Sequence, residues 1–248
     1  MHYTIITGTS RGIGESMARL LLEQGQCVLG IARTFHPSLD EEYPKHYHGF
    51  EADLTDSEKL EPLMERIFGH ISIAEAGSIH LVNNAAALLP LREISLCEPQ
   101  EIANHVKVNL IAPMIMTSLF ARLTKPYKGD KRILNISSAS ANILLPDMSC
   151  YSTTKAGLDV FSKCAGLEQQ KQEDPVRIAS VWPGMIETRM QEELRNQQKE
   201  GFSSADIFLQ ARDKGMLMNP MDTAKKLVEL LQGDSFPQGQ VVENLDPL

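Results

Sequence analysis

Tyr151 and Lys155 stand four residues apart, thirteen residues after Ser138. Residues at that spacing are neighbours on one helical face, so the pattern places the Lys155 ammonium under the Tyr151 phenol. The chemistry this allows is proton exchange at a carbonyl oxygen that the Ser138 hydroxyl grips. A free tyrosine titrates near pH ~10, and bringing it to about 7 requires roughly 4 kcal/mol of electrostatic help. One lysine and one further positive charge can supply that. A tyrosine and a lysine at this spacing are by themselves most often an ordinary exposed helix turn, so the weight of the pair comes from what surrounds it.

The elements that would position the pair begin at the N-terminus. Tyr3-Thr4-Ile5-Ile6-Thr7 reads as a buried strand, followed by the turn Gly8-Thr9-Ser10-Arg11-Gly12-Ile13-Gly14 and then Met17, Leu20, Leu21 and Leu22 at helical spacing. Strand, glycine turn and helix in this order bring a pyrophosphate against backbone N–H groups at a helix N-terminus. Further strands are expected over Cys27–Ala32, near 48–52, and over Ile79–Asn83, Arg132–Ile136, Arg177–Val181 and Gln240–Glu243. Helices are expected at about 13–24, 56–70, 98–125, 151–171 and 221–232. This alternation predicts an α/β fold: a single-domain Rossmann fold over 1–248, a doubly wound parallel sheet of about seven strands with helices on both faces.

The Thr-Gly-xxx-Gly-Ile-Gly loop, together with Ser138, Tyr151 and Lys155, resembles the short-chain dehydrogenase/reductase family over essentially the whole chain. Other motifs agree. Asp53-Leu54 follows the third strand, where the family contacts adenine. Asn83-Asn84-Ala85-Ala86 resembles the family's Asn-Asn-Ala-Gly, with Ala86 in place of glycine, which puts the local backbone shape in question. Asn109 matches the asparagine that completes a proton relay with the lysine and water. Pro183-Gly184-Met185-Ile186-Glu187-Thr188 matches the turn that holds a nicotinamide carboxamide. The resemblance therefore implies Ser138, Tyr151, Lys155 and Asn109 as catalytic residues. It implies a nicotinamide site at Gly8, Ser10, Arg11, Gly12, Ile13, Gly14, Arg33, Asp53, Leu54, Asn83, Asn84, Ala85, Tyr151, Lys155, Pro183, Gly184, Ile186 and Thr188.

Charge argues for NADPH over NADH. A site for NAD carries an acid at the end of the second strand to bind the ribose 2′-hydroxyl; this chain has Ala32-Arg33-Thr34. Arg33 and Arg11 can grip a 2′-phosphate, although arginines are otherwise ordinary surface charges.

Within the family the resemblance is to the sepiapterin reductase and bacterial benzil reductase branch. It runs through Asn109-Leu-Ile-Ala-Pro113-Met114, Asn135-Ile-Ser-Ser138, Cys150–Leu158 and Phe236–Glu243. It implies an NADPH-dependent reductase of one carbonyl of a vicinal dicarbonyl. The alternatives are a 3-oxoacyl-thioester reductase of fatty-acid synthesis and a non-catalytic NADP-sensing protein. The expected pocket is walled by Leu144, Leu145, Pro146 and Met148 and by a substrate-covering segment at about 185–221 that includes Met185. The methionines of that segment, Met185, Met190, Met216, Met218 and Met221, are equally read as core gap-fillers. Glu243 falls near the acid that anchors a pterin in sepiapterin reductases, and a surface salt bridge is the plainer role for it.

Composition sets limits. The 248 residues, 42% hydrophobic and 23% charged, fit one globular domain. A net charge of −8 argues against nucleic acid or an anionic membrane as partner. No continuous apolar run is long enough to span a bilayer and the N-terminus enters a strand directly, so a cytoplasmic location is expected. Cys27, Cys97, Cys150 and Cys164 lack metal spacing and read as reduced thiols, with a redox role for Cys150 as the rarer option. His46-x-His48 has no ligand frame around it and reads as a solvated loop, and no metal site is expected. Ile111, Ile115, Leu119, Leu158, Phe161 and Ala165 suggest an apolar helix surface for a homodimer, with a tetramer as the alternative.

Overall fold

Tyr3 to Thr7 is buried on both sides because it lies at the centre of the sheet, where parallel strands are covered by helices on each face. The computed structural model describes residues 1–34, 37–196 and 202–245. The strands are β1 (His2–Thr7), β2 (Cys27–Ala32), β3 (Tyr47–Glu51), β4 (Ser78–Asn83), β5 (Asp130–Ile136), β6 (Arg177–Val181) and β7 (Val241–Val242). They form one parallel sheet in the order β3-β2-β1-β4-β5-β6-β7. Chain order reverses at β1, which pairs with β2 on one side and β4 on the other, with Thr7 opposite Ile31 and Ile6 opposite Val82. In open α/β sheets such a reversal makes the crevice beyond the carboxyl ends of the strands where ligands bind.

The helices are α1 (Gly12–Glu23), α2 (Pro37–Glu42), α3 (Leu60–Phe68), α4 (Pro99–Val106), α5 (Ala112–Leu123), α6 (Ser149–Gln169), α7 (Arg189–Asn196), α8 (Ala205–Asp213) and α9 (Pro220–Gln232). One face of the sheet buries Met17 and Leu21 of α1 and Leu227 and Leu231 of α9 against Val28, Val82 and Leu134. The other buries Met64 and Ile67 of α3, Met116 and Phe120 of α5 and Ala165 of α6 against Ile5, Leu29, Leu81 and Ile133.

The structure changes two expectations and adds to a third. The helix expected at 98–125 is divided: a π-helical turn, Lys107–Ile111, separates α4 from α5. Pro113 has no N–H to continue the ladder, so a carbonyl in the turn before it loses its helical donor, and the helix accommodates this by widening. Second, Pro99–Leu123 is long and apolar enough by composition to cross a membrane, although no uninterrupted apolar run in the chain is. Here Ala112, Met116, Leu119 and Phe120 of that stretch are buried in the core, which accounts for its apolarity. Third, the surface expected to pair two subunits is largely used within the subunit. Leu119, Leu158 and Ala165 are buried, and Ile115 and Phe161 pack against the core; the apolar side chains that α5 and α6 leave exposed are Met114, Val160 and Leu167. The stretch read as a solvated helix or lid surface, 192–199, is helical through Asn196, and 197–199 lie outside the described residues.

Candidate active site

The glycine loop owes its shape to three positions. Gly8 and Gly12 have φ of +80° and +64°, where side chains are disfavoured. Gly14 packs so closely that a Cβ would stand 2.2 Å from the Gly8 carbonyl oxygen. The loop is pinned from β4: the Thr7 hydroxyl accepts from Asn84 N and Ala85 N, each at 3.0 Å, and Asn84 Nδ2 donates to the carbonyls of Thr7 at 2.9 Å and Gly8 at 3.3 Å. Arg11 is the N-cap of α1 and its side chain makes no capping bond, so the first N–H groups of the helix face the crevice without a side-chain acceptor. Across it, the Thr188 methyl lies 3.6 Å from where a Gly12 Cβ would be. Left-handed glycines, a helix start without a side-chain cap and a facing threonine turn fit the diphosphate of a dinucleotide. Ala86 has no positive φ, so the missing glycine strains nothing.

Not every residue of the expected cofactor set faces this crevice. Asn83 is buried, and its Nδ2 donates to Asn135 Oδ1 at 2.8 Å and toward Thr117 at 3.5 Å, which directs the side chain into the core. Leu54 is buried in the core cluster. Asp53 is exposed and accepts from the N–H and hydroxyl of Thr55, which hold its carboxyl below the usual range. Arg11 and Arg33 are both exposed, and Arg33 adds to the downward pull on Asp53.

The acid–base group gathers at the ends of β5 and α6. Ser138 caps a short 3₁₀ turn, accepting from Ser140 N at 3.1 Å, and its side chain stands near enough to the Tyr151 phenol to oppose the rise in its pKa. Lys155 is buried; its Nζ donates to the Ile136 carbonyl at 2.7 Å and lies 5.7 Å from the Tyr151 ring centroid. The expected downward pull of Lys155 on the phenol does not govern here. Burial dominates and pushes Tyr151 up, with the Ser138 side chain opposing, and the same burial lowers Lys155 to about 8. The phenol therefore holds its proton at neutral pH.

The π turn aims Asn109 at the loop after β4. Asn109 Oδ1 accepts from Ala87 N at 2.7 Å and its Nδ2 donates to Ala87 O at 2.8 Å. His105 was not singled out from sequence, yet it joins this group. Its Nδ1 donates to Leu89 O at 2.7 Å, its Nε2 accepts from Asn109 Nδ2 at 2.9 Å, and its ring meets Tyr151 edge-on with centroids 6.1 Å apart. Burial lowers its pKa and keeps it neutral. The signal was the four-residue spacing to Asn109, which carries little information without the bulge.

An apolar cluster encloses Tyr151: Leu88, Leu91, Met148, Leu194, Phe202 and Phe208, with Leu145 and Met190 against it. Leu144 is 72% exposed, Met185 half-buried, and Glu243 exposed just beyond β7. Asp147 links the two walls by accepting from Ser203 N at 3.0 Å and from the Ser203 hydroxyl at 2.5 Å. Met218 joins the segment to the Pro183–Thr188 turn, its N–H donating to Met185 O at 2.9 Å. His48 meets His70 at a tilt of 41° with centroids 4.6 Å apart, and no group of three His, Cys, Asp or Glu among the described residues can hold a metal ion.

A doubly wound sheet, a glycine-loop cradle and a Ser-Tyr-Lys group at its mouth define an oxidoreductase that binds a nicotinamide cofactor. Comparison with known proteins gives the family. The short chain dehydrogenase model matches residues 2–199. A benzil reductase ((S)-benzoin forming) of Bacillus cereus is 38% identical over 98% of both chains, and a sepiapterin reductase of Xenopus tropicalis is 25% identical over 98% of this chain and 95% of its own. The solved KRED1-Pglu enzyme has the same fold, with a TM-score of 0.86 at 22% identity, covering 98% of this chain and all of its own. The chain belongs to the short-chain dehydrogenase/reductase family and is an oxidoreductase acting on carbonyl groups.

Proposed function

We propose that the protein is an NADPH-dependent reductase of one carbonyl of an uncharged, bulky or aromatic vicinal dicarbonyl, giving a hydroxyketone of a single hand. The observation that carries this is the placing of Ser138, Tyr151 and Lys155 together at a crevice whose substrate side is walled by apolar side chains. Bound along the Gly8–Gly14 loop, the reduced nicotinamide supplies the hydride. Tyr151, protonated at neutral pH, delivers the proton to the carbonyl oxygen, and Ser138 donates a hydrogen bond to that oxygen. Lys155 sets a positive charge beside the phenol as it loses its proton, and Asn109 links the group to water. Because the wall presents few charges, binding rests on apolar burial at about 25 cal/mol per Å². Two aryl rings suit it.

Arg11 and Arg33, with no acid at the end of β2, support NADPH; a charge-assisted phosphate clamp of ~3 kcal/mol gives a preference of at least ~100-fold in kcat/KM over NADH. The described parts of segment 185–221, residues 185–196 and 202–221, cover the substrate; 197–201 lie outside the described residues. A cytoplasmic homodimer through the exposed Met114, Val160 and Leu167 completes the reading; light scattering tests it. The central experiment compares kcat/KM for benzil, sepiapterin, an aliphatic ketone and an acetoacetyl thioester with each cofactor, and resolves the products by chiral chromatography. A dicarbonyl is expected to lead with NADPH. Preference for the thioester, a racemic product or equal use of NADH overturns the corresponding part of the reading.

A further inference from the structure

Asp159 lies one helical turn beyond Lys155 on α6 and is buried. Its Oδ1 accepts from the Ser180 hydroxyl and its Oδ2 from the Trp182 indole N–H at 2.9 Å. Trp182 follows β6, donates its own N–H to Val242 O at 2.9 Å, and leads directly into Pro183 and Gly184. A neutral amide could meet the same two partners only if the Ser180 hydroxyl turned to accept from its NH2 while its oxygen accepted from Trp182. A carboxylate taken out of water is costly unless an opposite charge is near, and the nearby cation is the buried Lys155, one turn earlier on the same helix and bonded to the Ile136 carbonyl rather than ion-paired with Asp159.

We propose that Asp159 is a positioning residue: its carboxylate is the buried counter-charge of Lys155 and, through Trp182, the tie that sets the Pro183-Gly184 turn against the helix carrying Tyr151 and Lys155. Burial drives Lys155 down, and Asp159 is the group that opposes the fall. Among the described residues, the titratable groups around Lys155 are Tyr151 and Asp159 on its own helix and His105 from α4. From the sheet, β5 offers the Ile136 carbonyl, and β6 reaches Asp159 through Ser180 and Trp182. His105 is neutral and cannot replace the lost charge. Without the Asp159 charge, Lys155 loses its proton at lower pH.

The inference deepens the proposed reading of Lys155, so its test reads the lysine itself. Asp159→Asn can keep both bonds, its carbonyl toward Trp182 and its amide toward Ser180, while removing the charge. In the cofactor-free protein labelled with ¹³C-lysine, the Lys155 Cε resonance, identified by its loss in Lys155→Met, is expected to titrate near 8. In Asp159→Asn its midpoint is expected to fall by about one pH unit. The alkaline limb of kcat/KM then moves with it, with about tenfold lower activity at pH 8.5 and little change at pH 6. Trp182→Phe removes the tie and keeps the charge, so it should lower Tm and leave the Lys155 midpoint in place. An unmoved midpoint in Asp159→Asn overturns the inference. A moved midpoint in a protein that reduces no carbonyl leaves the charge coupling standing and removes the reductase reading. If Asp159→Asn does not fold, Asp159→Glu, which retains the charge on a longer arm, must keep the midpoint near 8 while changing the emission of Trp182, the single tryptophan of the chain. A fallen midpoint there equally overturns the inference.

Discussion

The two sides of the crevice are built on different principles. On the glycine-loop side, shape is set by the backbone: Thr7, Gly8, Asn84 and Ala85 interlock through four hydrogen bonds, and Gly14 leaves no room for a Cβ. On the opposite side, the wall is side chains of Leu, Met and Phe, tied by few polar contacts, chiefly Asp147 with Ser203 and Met218 with Met185. A backbone-built surface accepts one ligand shape. A wall of adaptable side chains can be refilled, so cofactor and substrate specificity should respond to separate substitutions.

The largest effect is expected where the two sides meet. Tyr151→Phe removes one hydroxyl from a ring that is 8% exposed and keeps its apolar contacts. We expect kcat to fall by about 10³-fold, the scale of a lost general acid, with cofactor affinity unchanged in a fluorescence titration. Lys155→Met should impair both. A Tyr151→Phe protein with near-normal turnover would mean that the proton comes from elsewhere.

A smaller loss is expected from the cofactor side. Thr7→Val keeps the volume and removes the acceptor of Asn84 N and Ala85 N. An unsatisfied buried donor costs ~1–3 kcal/mol; allowing for their partial exposure, we expect about 2 kcal/mol off the urea unfolding free energy and a parallel loss of nicotinamide-cofactor affinity. KM for the carbonyl substrate should hold at saturating cofactor, and Thr7→Ser should restore binding. Substrate KM rising in step with cofactor Kd would join the two sides into one unit.

The same contrast decides what was legible in the sequence. Backbone shapes require particular residue types, so Gly8, Gly12, Gly14, Asn84 and the Pro183-Gly184 turn could be placed from the chain and its family resemblance, as could the alternation of strands and helices that makes a doubly wound sheet; the strand order came from the structure. Side-chain direction could not. Asn83 and Asn84 are adjacent and alike, yet a strand turns successive side chains to opposite faces: Asn84 pins the loop while Asn83 enters the core. His105 and Asp159 escaped because their partners, Leu89 O and Trp182, are 16 and 23 residues away in sequence. The π turn escaped because helical periodicity continues on both sides of it; Pro113 was its local trace. Glu243, placed by likeness alone, is exposed beyond β7.

The smallest effect is expected at Asp147, the polar tie of the adaptable wall and the non-glycine residue with positive φ, 66°, among the described residues. Its two bonds from Ser203 hold its carboxyl below the ordinary range, so the tie is present above the usual carboxylate pKa and weakens as pH falls through the lowered one. Asp147→Gly removes the tie and relieves the left-handed backbone, whereas Asp147→Ala removes the tie and keeps the strain, which is about 1 kcal/mol for a residue with a Cβ. The alanine variant should therefore be less stable than the glycine variant by about that amount in urea melts. Both should raise substrate KM by only about threefold, about 0.6 kcal/mol for an exposed tie of two hydrogen bonds, and leave cofactor affinity untouched. Loss of cofactor binding in Asp147→Gly would show that the wall and the glycine loop move as one body.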